Sequence, residues 1–248
     1  MKIGIVGAGM IGATLARLLV KAGHGVRLAN ARGPASIEAL ASEIGATAVT
    51  VAQAVADVAV LIISIPQGAI QTLPEGLLND VPEDVIVIDT GNYYPGLRDP
   101  TIDAIEAGMA ESVWVSQRLK RPVVKTFNSI GFTSLAQAGR PSGTAGRIAL
   151  PVAGDNVAAK MAVIALLDEI GFEGVDAGSL AQSWRHQPGT PSYCTDLDRE
   201  HLISALALAD KARSAARRDR FIVEMREIVR QEGTADLIAL ARRIYGAP

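Results

Sequence analysis

The sequence predicts a doubly wound α/β fold with a mostly parallel sheet and a small α-helical carboxyl-terminal part. Three observations carry the prediction. Short apolar runs rich in Val and Ile alternate with amphipathic stretches, the pattern of repeated βα units. The first of these runs leads directly into glycines spaced Gly-x-Gly-x-x-Gly and then into a helical pattern. Of the 248 residues 49% are hydrophobic and 20% charged, with a formal net charge of -2, so a sizeable core is available and no basic excess points to nucleic acid.

The chain is organised around residues 2–12. Ile3, Ile5 and Val6 suit a central strand buried on both faces. Gly7, Gly9 and Gly12 follow, and Leu15, Ala16, Leu18 and Leu19 continue on helical spacing to Gly23. In a Rossmann-type fold each glycine has a task. Gly7 turns the chain out of the strand, Gly9 admits backbone close to a pyrophosphate, and Gly12 lets the helix pack on the strand. The first-turn N–H groups and the helix dipole then face an anion. Strand, motif and helix stand here in the required order, which favours dinucleotide binding over a structural glycine turn.

Residues 25–29 read as the second strand, whose end holds the adenine ribose. An Asp or Glu is usual there in NAD enzymes, whereas this chain has Asn30, Ala31 and Arg32. With no carboxylate to repel a phosphate and a guanidinium to pair with it, the turn is expected to prefer NADP(H); the alternative is that Arg32 is a solvated turn residue. Residues 34–45 read as an amphipathic helix, 47–49 as a short strand, and 57–64 as an apolar central strand. Ligands lie across the carboxyl ends of such strands, so Ser64, Ile65, Pro66 and Gln67 are expected beside the cofactor.

Residues 85–88 form the expected fifth strand, and 89–96 a polar and aromatic loop on the ligand side. Helical patterns follow at 101–107 and 111–119, and a sixth strand at 122–125. Thr126, Asn128 and Ser129 at its end suit hydrogen bonding to a carboxamide or a substrate carbonyl, with an ordinary strand exit as the alternative. Lys125 reads as a proton-donor candidate or a lysine snorkelling from the strand end. The Gly- and Arg-rich stretch 139–147 lacks the Lys-Ser or Lys-Thr of a P-loop and reads as a mobile connection. Strands are expected at 148–153 and 172–176, with a helix between them capped by Asp155 or Asn156.

Residues 183–196 hold two prolines, aromatic residues and a histidine, too polar for a strand and too broken for a helix, and read as a substrate loop. Residues 197–217 and 221–245 are helical in pattern, and their apolar stripes suit a homodimer. The boundary drawn is a dinucleotide-binding domain over 1–180 and a substrate-covering or dimerising segment over 181–248.

The three histidines have no partners at metal-ligand spacing, so no metal is expected. The single cysteine, Cys194, excludes an internal disulfide and lacks an adjacent histidine to make it a nucleophile. No apolar run reaches membrane-spanning length, and a cytoplasmic location is expected. What remains is a nicotinamide site with Met10, Ile65, Pro66 and Trp184 as candidates for the apolar face, and no obvious general acid. The catalytic candidates are His186, Tyr193 and Lys125.

The glycine motif at 7–12, the Asn30-Ala31-Arg32 turn, the run Lys125-Thr126-Phe127-Asn128 and the segment Val152-Ala153-Gly154-Asp155 together resemble the coenzyme F420-dependent NADP oxidoreductases, over roughly residues 1–180. The resemblance implies a Rossmann domain, hydride transfer between NADPH and a deazaflavin, and a small carboxyl-terminal part that covers the substrate and often dimerises. It implies that Met10 and Ile11 touch the pyrophosphate through backbone and that Arg32 meets the 2′-phosphate. The family usually has Ser where this chain has Ala31, which removes one hydroxyl contact to phosphate. The 184–196 loop and the terminal helices resemble a bacterial subgroup whose acceptor need not be a deazaflavin, and the amino-terminal domain is similar to that of flavin-reducing membrane metalloreductases. A small-molecule acceptor is thus the expected partner: coenzyme F420 first, a flavin, imine or carbonyl compound behind it. The alternative of another kind is a redox sensor that binds NADP without turnover.

Overall fold

The computed structural model describes residues 1–232 and 236–248. β1 (Lys2–Val6), α1 (Met10–Lys21) and β2 (Gly25–Ala29) form the first βαβ unit. A turn of 3-10 helix over Pro34–Ile37 leads into α2 (Glu38–Ile44), which Gly45 ends in the left-handed conformation. Then come β3 (Thr47–Ala48), α3 (Val51–Val55), β4 (Val60–Ile63) and β5 (Ile86–Asp89). They are followed by α4 (Asp103–Glu106), α5 (Glu111–Leu119), β6 (Val124–Lys125) and α6 (Phe132–Gln137).

These six strands make one parallel sheet in the order β3-β2-β1-β4-β5-β6. The order reverses between β1 and β4, the switch point where a doubly wound fold opens its crevice. Alternation of side chains builds both faces. Ile3, Ile5, Leu28 and Ile62 join Leu15 and Leu19 of α1 in one core, while Val6, Leu61, Ile63 and Val87 join Ala54 and Trp114 in the other. The Rossmann-type, doubly wound architecture read from the sequence is therefore the one observed.

Two α-helices among the described residues went unread in the sequence. Thr50 and Gln53 form a reciprocal capping box that starts α3, and Gly4 of β1 lets α3 approach, since an added Cβ would lie 1.8 Å from the Ala54 carbonyl oxygen. The other is α6, which packs on α1.

β7 (Ala149–Val152), α7 (Val157–Glu169) and β8 (Glu173–Asp176) form a second, two-stranded parallel sheet. One antiparallel bridge joins it to β6: the Lys125 and Ala153 amides each donate to the other's carbonyl, at 2.8 and 3.0 Å. Asn156 supplies the cap of α7. The stretch 139–147, read as a mobile connection, is pinned at its end by Arg147. That buried guanidinium donates to the Arg140, Gly171 and Asp168 carbonyls and to the Asp168 carboxylate, and so is not offered to a substrate.

The carboxyl-terminal part also corrects the reading. Leu180–His186 is a 3-10 helix, begun by a Ser179–Gln182 capping box. Residues 190–196 are largely buried and do not form an open loop. The helices are α8 (Arg199–Ala207), α9 (Lys211–Glu232) and α10 (Leu237–Tyr245), with a break before Lys211 where Asp210 accepts from the Ala212 amide. The helix expected over 221–245 crosses 233–235, outside the described residues. Its Leu240 and Ile244 are buried with Tyr193, Phe221 and Tyr245, so most of that stripe is used inside the chain. Among the described residues no helix is long and apolar enough to cross a membrane.

Candidate active site

At the switch point the three motif glycines do three different things. Gly7 has φ +119°, and an added Cβ would sit 2.0 Å from the Ser64 carbonyl oxygen. Gly12 has no room either: its Cβ would lie 1.8 Å from the Gly7 oxygen. Gly9 is the opposite case, because nothing lies within 4 Å of its Cβ position. It is the N-cap of α1 and provides no side-chain cap, so the amides of Met10, Ile11 and Gly12 lack intrahelical acceptors. Met10 is 65% exposed on this turn.

The turn after β2 is set by Asn30. Its Oδ1 accepts the Arg32 amide at 3.0 Å, and its Nδ2 donates to Ser36 Oγ at 2.9 Å. Ser36 in turn donates to the Gly33 carbonyl at 2.8 Å. Ala31 and Arg32 are exposed, and no ion pair holds the Arg32 guanidinium among the described residues. An uncapped helix start, a glycine that leaves space for a diphosphate, and a free cation at the end of β2 together fit an NADP-type dinucleotide.

Ser64 and Ile65 are half-buried and Pro66 is exposed at the end of β4, beside the turn formed by Gly7. Gln67 is not at the crevice surface: it is fully buried and donates to the Glu111 carbonyl at 3.0 Å.

Behind the crevice, at the ends of β5 and β6, lies a buried polar cluster that the sequence reading missed. Asp89 Oδ2 meets Lys125 Nζ at 3.1 Å and Ser112 Oγ at 2.6 Å, and its Oδ1 accepts the Gly91 amide. Lys125 also donates to the Gly91 carbonyl. Lys125 is 0% exposed, so it neither snorkels nor is free to serve as a solvent-fed proton donor. Glu111, at the start of α5 and 3% exposed, has one carboxylate oxygen without a partner among the described residues. Burial pushes its pKa up to about 7, against the lowering influence of Lys125 and with a further push from Asp89. The available signals were Asp89 and Lys125 standing at the ends of two apolar strands; Glu111 gave none.

Asn128 is buried and its carboxamide is engaged inside the protein, with the His186 carbonyl, His186 Nδ1 and Asn92. Its side chain is therefore not free for a ligand carboxamide, contrary to one of the two expectations for it. His186 is completely buried; burial and then the charge of Lys125 depress its pKa to about 3. Tyr193 hydrogen-bonds Tyr94 through their hydroxyls, and burial raises it well above the ordinary phenol value. Cys194 is likewise pushed up to about 12 by burial, which removes it as a nucleophile at neutral pH. Trp184 lies flanked by Arg185 and Lys211, at 5.9 and 5.8 Å from its ring centroid.

Against known proteins, residues 2–93 match the family model described as NADP oxidoreductase, coenzyme F420-dependent. The match spans the amino-terminal part of the chain, which is similar to that family. Escherichia coli (strain K12) protein YjhV is 40% identical over 98 residues, a match covering 40% of this chain and 64% of YjhV, so less than two thirds of that relative. A hypothetical protein of Sinorhizobium meliloti, SMa0349, superimposes with a TM-score of 0.61 at 29% identity over 74% of this chain and 88% of that one. A structure given as a candidate F420-dependent NADP reductase of Arthrobacter sp. FB24 superimposes with a TM-score of 0.58 at 21% identity, over 74% and 87% of the two chains. At that identity the second structure speaks for the fold alone.

Proposed function

We propose that the protein is an NADP(H)-dependent oxidoreductase that passes a hydride between NADP(H) and a deazaflavin of the coenzyme F420 type. The observation that carries the reading is the open, uncapped start of α1 at Gly9, with Arg32 exposed at the end of β2 and in no ion pair among the described residues. The family match over residues 2–93 supports it. In this reading the Met10, Ile11 and Gly12 amides hold the diphosphate, Arg32 pairs with the 2′-phosphate, and Asn30 fixes the turn that presents Arg32. Ser64, Ile65 and Pro66 border the nicotinamide side. When bound, the nicotinamide supplies the hydride chemistry itself, and the protein's contribution is alignment.

A flavin, imine or carbonyl acceptor ranks behind a deazaflavin. Imine and carbonyl reduction calls for a proton donor, and two of the three candidates serve poorly: Lys125 is held by Asp89, and His186 is neutral at neutral pH. A cytoplasmic homodimer belongs to the same proposal, with exposed Val223, Val229 and Leu237 as the remaining apolar surface of α9 and α10. Sedimentation showing only monomer at micromolar concentration removes the dimer.

The test is to follow NADPH absorbance with deazaflavin, flavin, quinone, ketone and imine acceptors. Fastest oxidation with the deazaflavin is the expected result. Tight NADPH binding without oxidation by any acceptor would favour the sensor instead, and calorimetry with no heat from either NADPH or NADH overturns the proposal.

A further inference from the structure

Asn128 and His186, 58 residues apart in the chain, form a two-point lock. Asn128 Nδ2 donates to the His186 carbonyl at 2.6 Å and approaches Asn92 Oδ1 at 3.2 Å. Both neighbours are acceptors, so the amide nitrogen must be on that side and the carboxamide oxygen must face His186 Nδ1, 2.9 Å away. An amide oxygen only accepts. The proton of the imidazole is therefore on Nδ1, and Nε2 carries a lone pair.

That Nε2 is buried and has no partner among the described residues. A buried acceptor left unpaired is costly, and a group that supplies the missing donor gains by it. The same condition recurs close by in sequence: Thr126 and Ser129, flanking Asn128 after β6, and Ser183 on the 3-10 helix of His186 have buried hydroxyls without partners among the described residues. The ends of β4, β5 and β6 are where the crevice of this fold opens, and the segment bearing His186 is tied to the last of them through Asn128.

We infer that His186 Nε2, covered in this structure, is reached when the crevice opens to its ligand and then receives a hydrogen bond from a neutral N–H group of the bound molecule, with Asn128 as the positioning residue that fixes the ring and its tautomer. This deepens the function proposed above and rests on it. Such an N–H belongs either to the nicotinamide carboxamide or to the imide of a deazaflavin or flavin. In neither case is His186 the proton donor of the reaction. The depressed pKa agrees, since a ring neutral at all working pH values keeps its lone pair.

The experiment is nitrogen NMR of the full chain labelled with 15N-histidine, the His186 signals being those lost in His186→Gln. The ligand-free protein is expected to show a neutral His186 ring with the proton on Nδ1. Adding NADP+ moves the Nε2 resonance in the direction of hydrogen bonding if the carboxamide is the donor; if the acceptor is the donor, the move waits for a 5-deazaflavin. Alongside, His186→Leu should weaken binding of the ligand that moves the resonance by about tenfold, and His186→Gln, which keeps an acceptor, should recover most of it. A ring protonated on Nε2 overturns the inference. So does an Nε2 resonance unmoved by both ligands while calorimetry shows NADP+ bound, a result that leaves the proposed function standing. Absence of NADP+ binding overturns both. Should His186→Leu fail to fold, the spectra of the unaltered chain still decide.

Discussion

The Lys125 ammonium and the Asp89 carboxylate face each other at 3.1 Å from the ends of adjacent strands, with side chains 0% and 1% exposed. Two charges out of water gain little over an apolar pair of the same volume, but removing one strands the other. Lys125→Met is accordingly expected to destabilise the fold by about 3–5 kcal/mol, because Asp89 keeps only Ser112 and the Gly91 amide. Lys125→Met combined with Asp89→Leu is expected to recover a substantial part of that loss. Urea unfolding of the two variants checks this, and a double variant no more stable than the single one contradicts the account.

The glycines separate fold from binding. Gly12→Ala drives a Cβ to within 1.8 Å of the Gly7 carbonyl oxygen and must displace α1 from the sheet, so it should unfold the domain or lower its melting temperature sharply. Gly9→Ala meets nothing within 4 Å and has an extended backbone, φ −76° and ψ −174°, that alanine adopts freely. Its stability cost is expected to stay below about 1 kcal/mol, the difference between Gly and Ala at an N-cap. Yet its methyl would enter the space proposed for the diphosphate, so NADPH binding should fall steeply. Thermal melts with calorimetry test the pair, and unaltered NADPH affinity in Gly9→Ala would count against the site.

The difference between these variants also shows what is legible in a sequence. The glycine motif is a local signal, since Gly7, Gly9 and Gly12 do their work within one turn of each other and of the strand before them. Strands such as Val60–Ile63 announce themselves by unbroken apolarity, which burial on both faces demands. The polar segment 183–196 looked like an open loop because its partners are far off in the chain: His186 on Asn128, Tyr193 on Tyr94, Asp196 on Ser134. No periodicity records such pairings. Glu111 was hidden likewise, since its burial among other elements, with Lys125 and Asp89 nearby, is what makes its carboxyl unusual. The break between α8 and α9 did carry a signal, in Asp210 as a helix-starting residue, and it was overridden by the continuous apolar stripe.

At the end of β2, Arg32→Ala should discriminate between coenzymes. Losing one charge-assisted contact to a phosphate is worth about 1.5–3 kcal/mol, or roughly 10- to 150-fold in affinity. NADPH is expected to lose that much, and NADH, which has no 2′-phosphate, to change by less than about threefold. Asn30→Ala frees the Arg32 amide and Ser36 together and should act in the same direction, more weakly. Equal weakening of both coenzymes by Arg32→Ala would mean that the guanidinium is only a solvated turn residue.

Two buried groups make stability depend on pH with opposite signs. Glu111, raised from 4.5 to about 7, binds its proton more tightly folded than unfolded, so its contribution is complete below about 4.5 and is lost as pH climbs through 7. His186, lowered from 6.5 to about 3, is protonated first in the unfolded chain, so its contribution is complete above about 6.5 and is lost as pH falls toward 3. The charges acting on them are Lys125 on both, with Asp89 and Arg218 on Glu111. Between pH 4.5 and 6.5 the two slopes oppose each other, each at most about 1.4 kcal/mol per pH unit, and the unaltered chain should show a shallow profile. Glu111→Gln removes the first slope and keeps the side-chain volume. Its unfolding free energy should therefore rise clearly from pH 5 to pH 6.5 in urea titrations. It should also no longer fall between pH 6.5 and 7.5, where the unaltered chain does. A profile for Glu111→Gln parallel to that of the unaltered chain over both intervals would show that Glu111 does not titrate near 7.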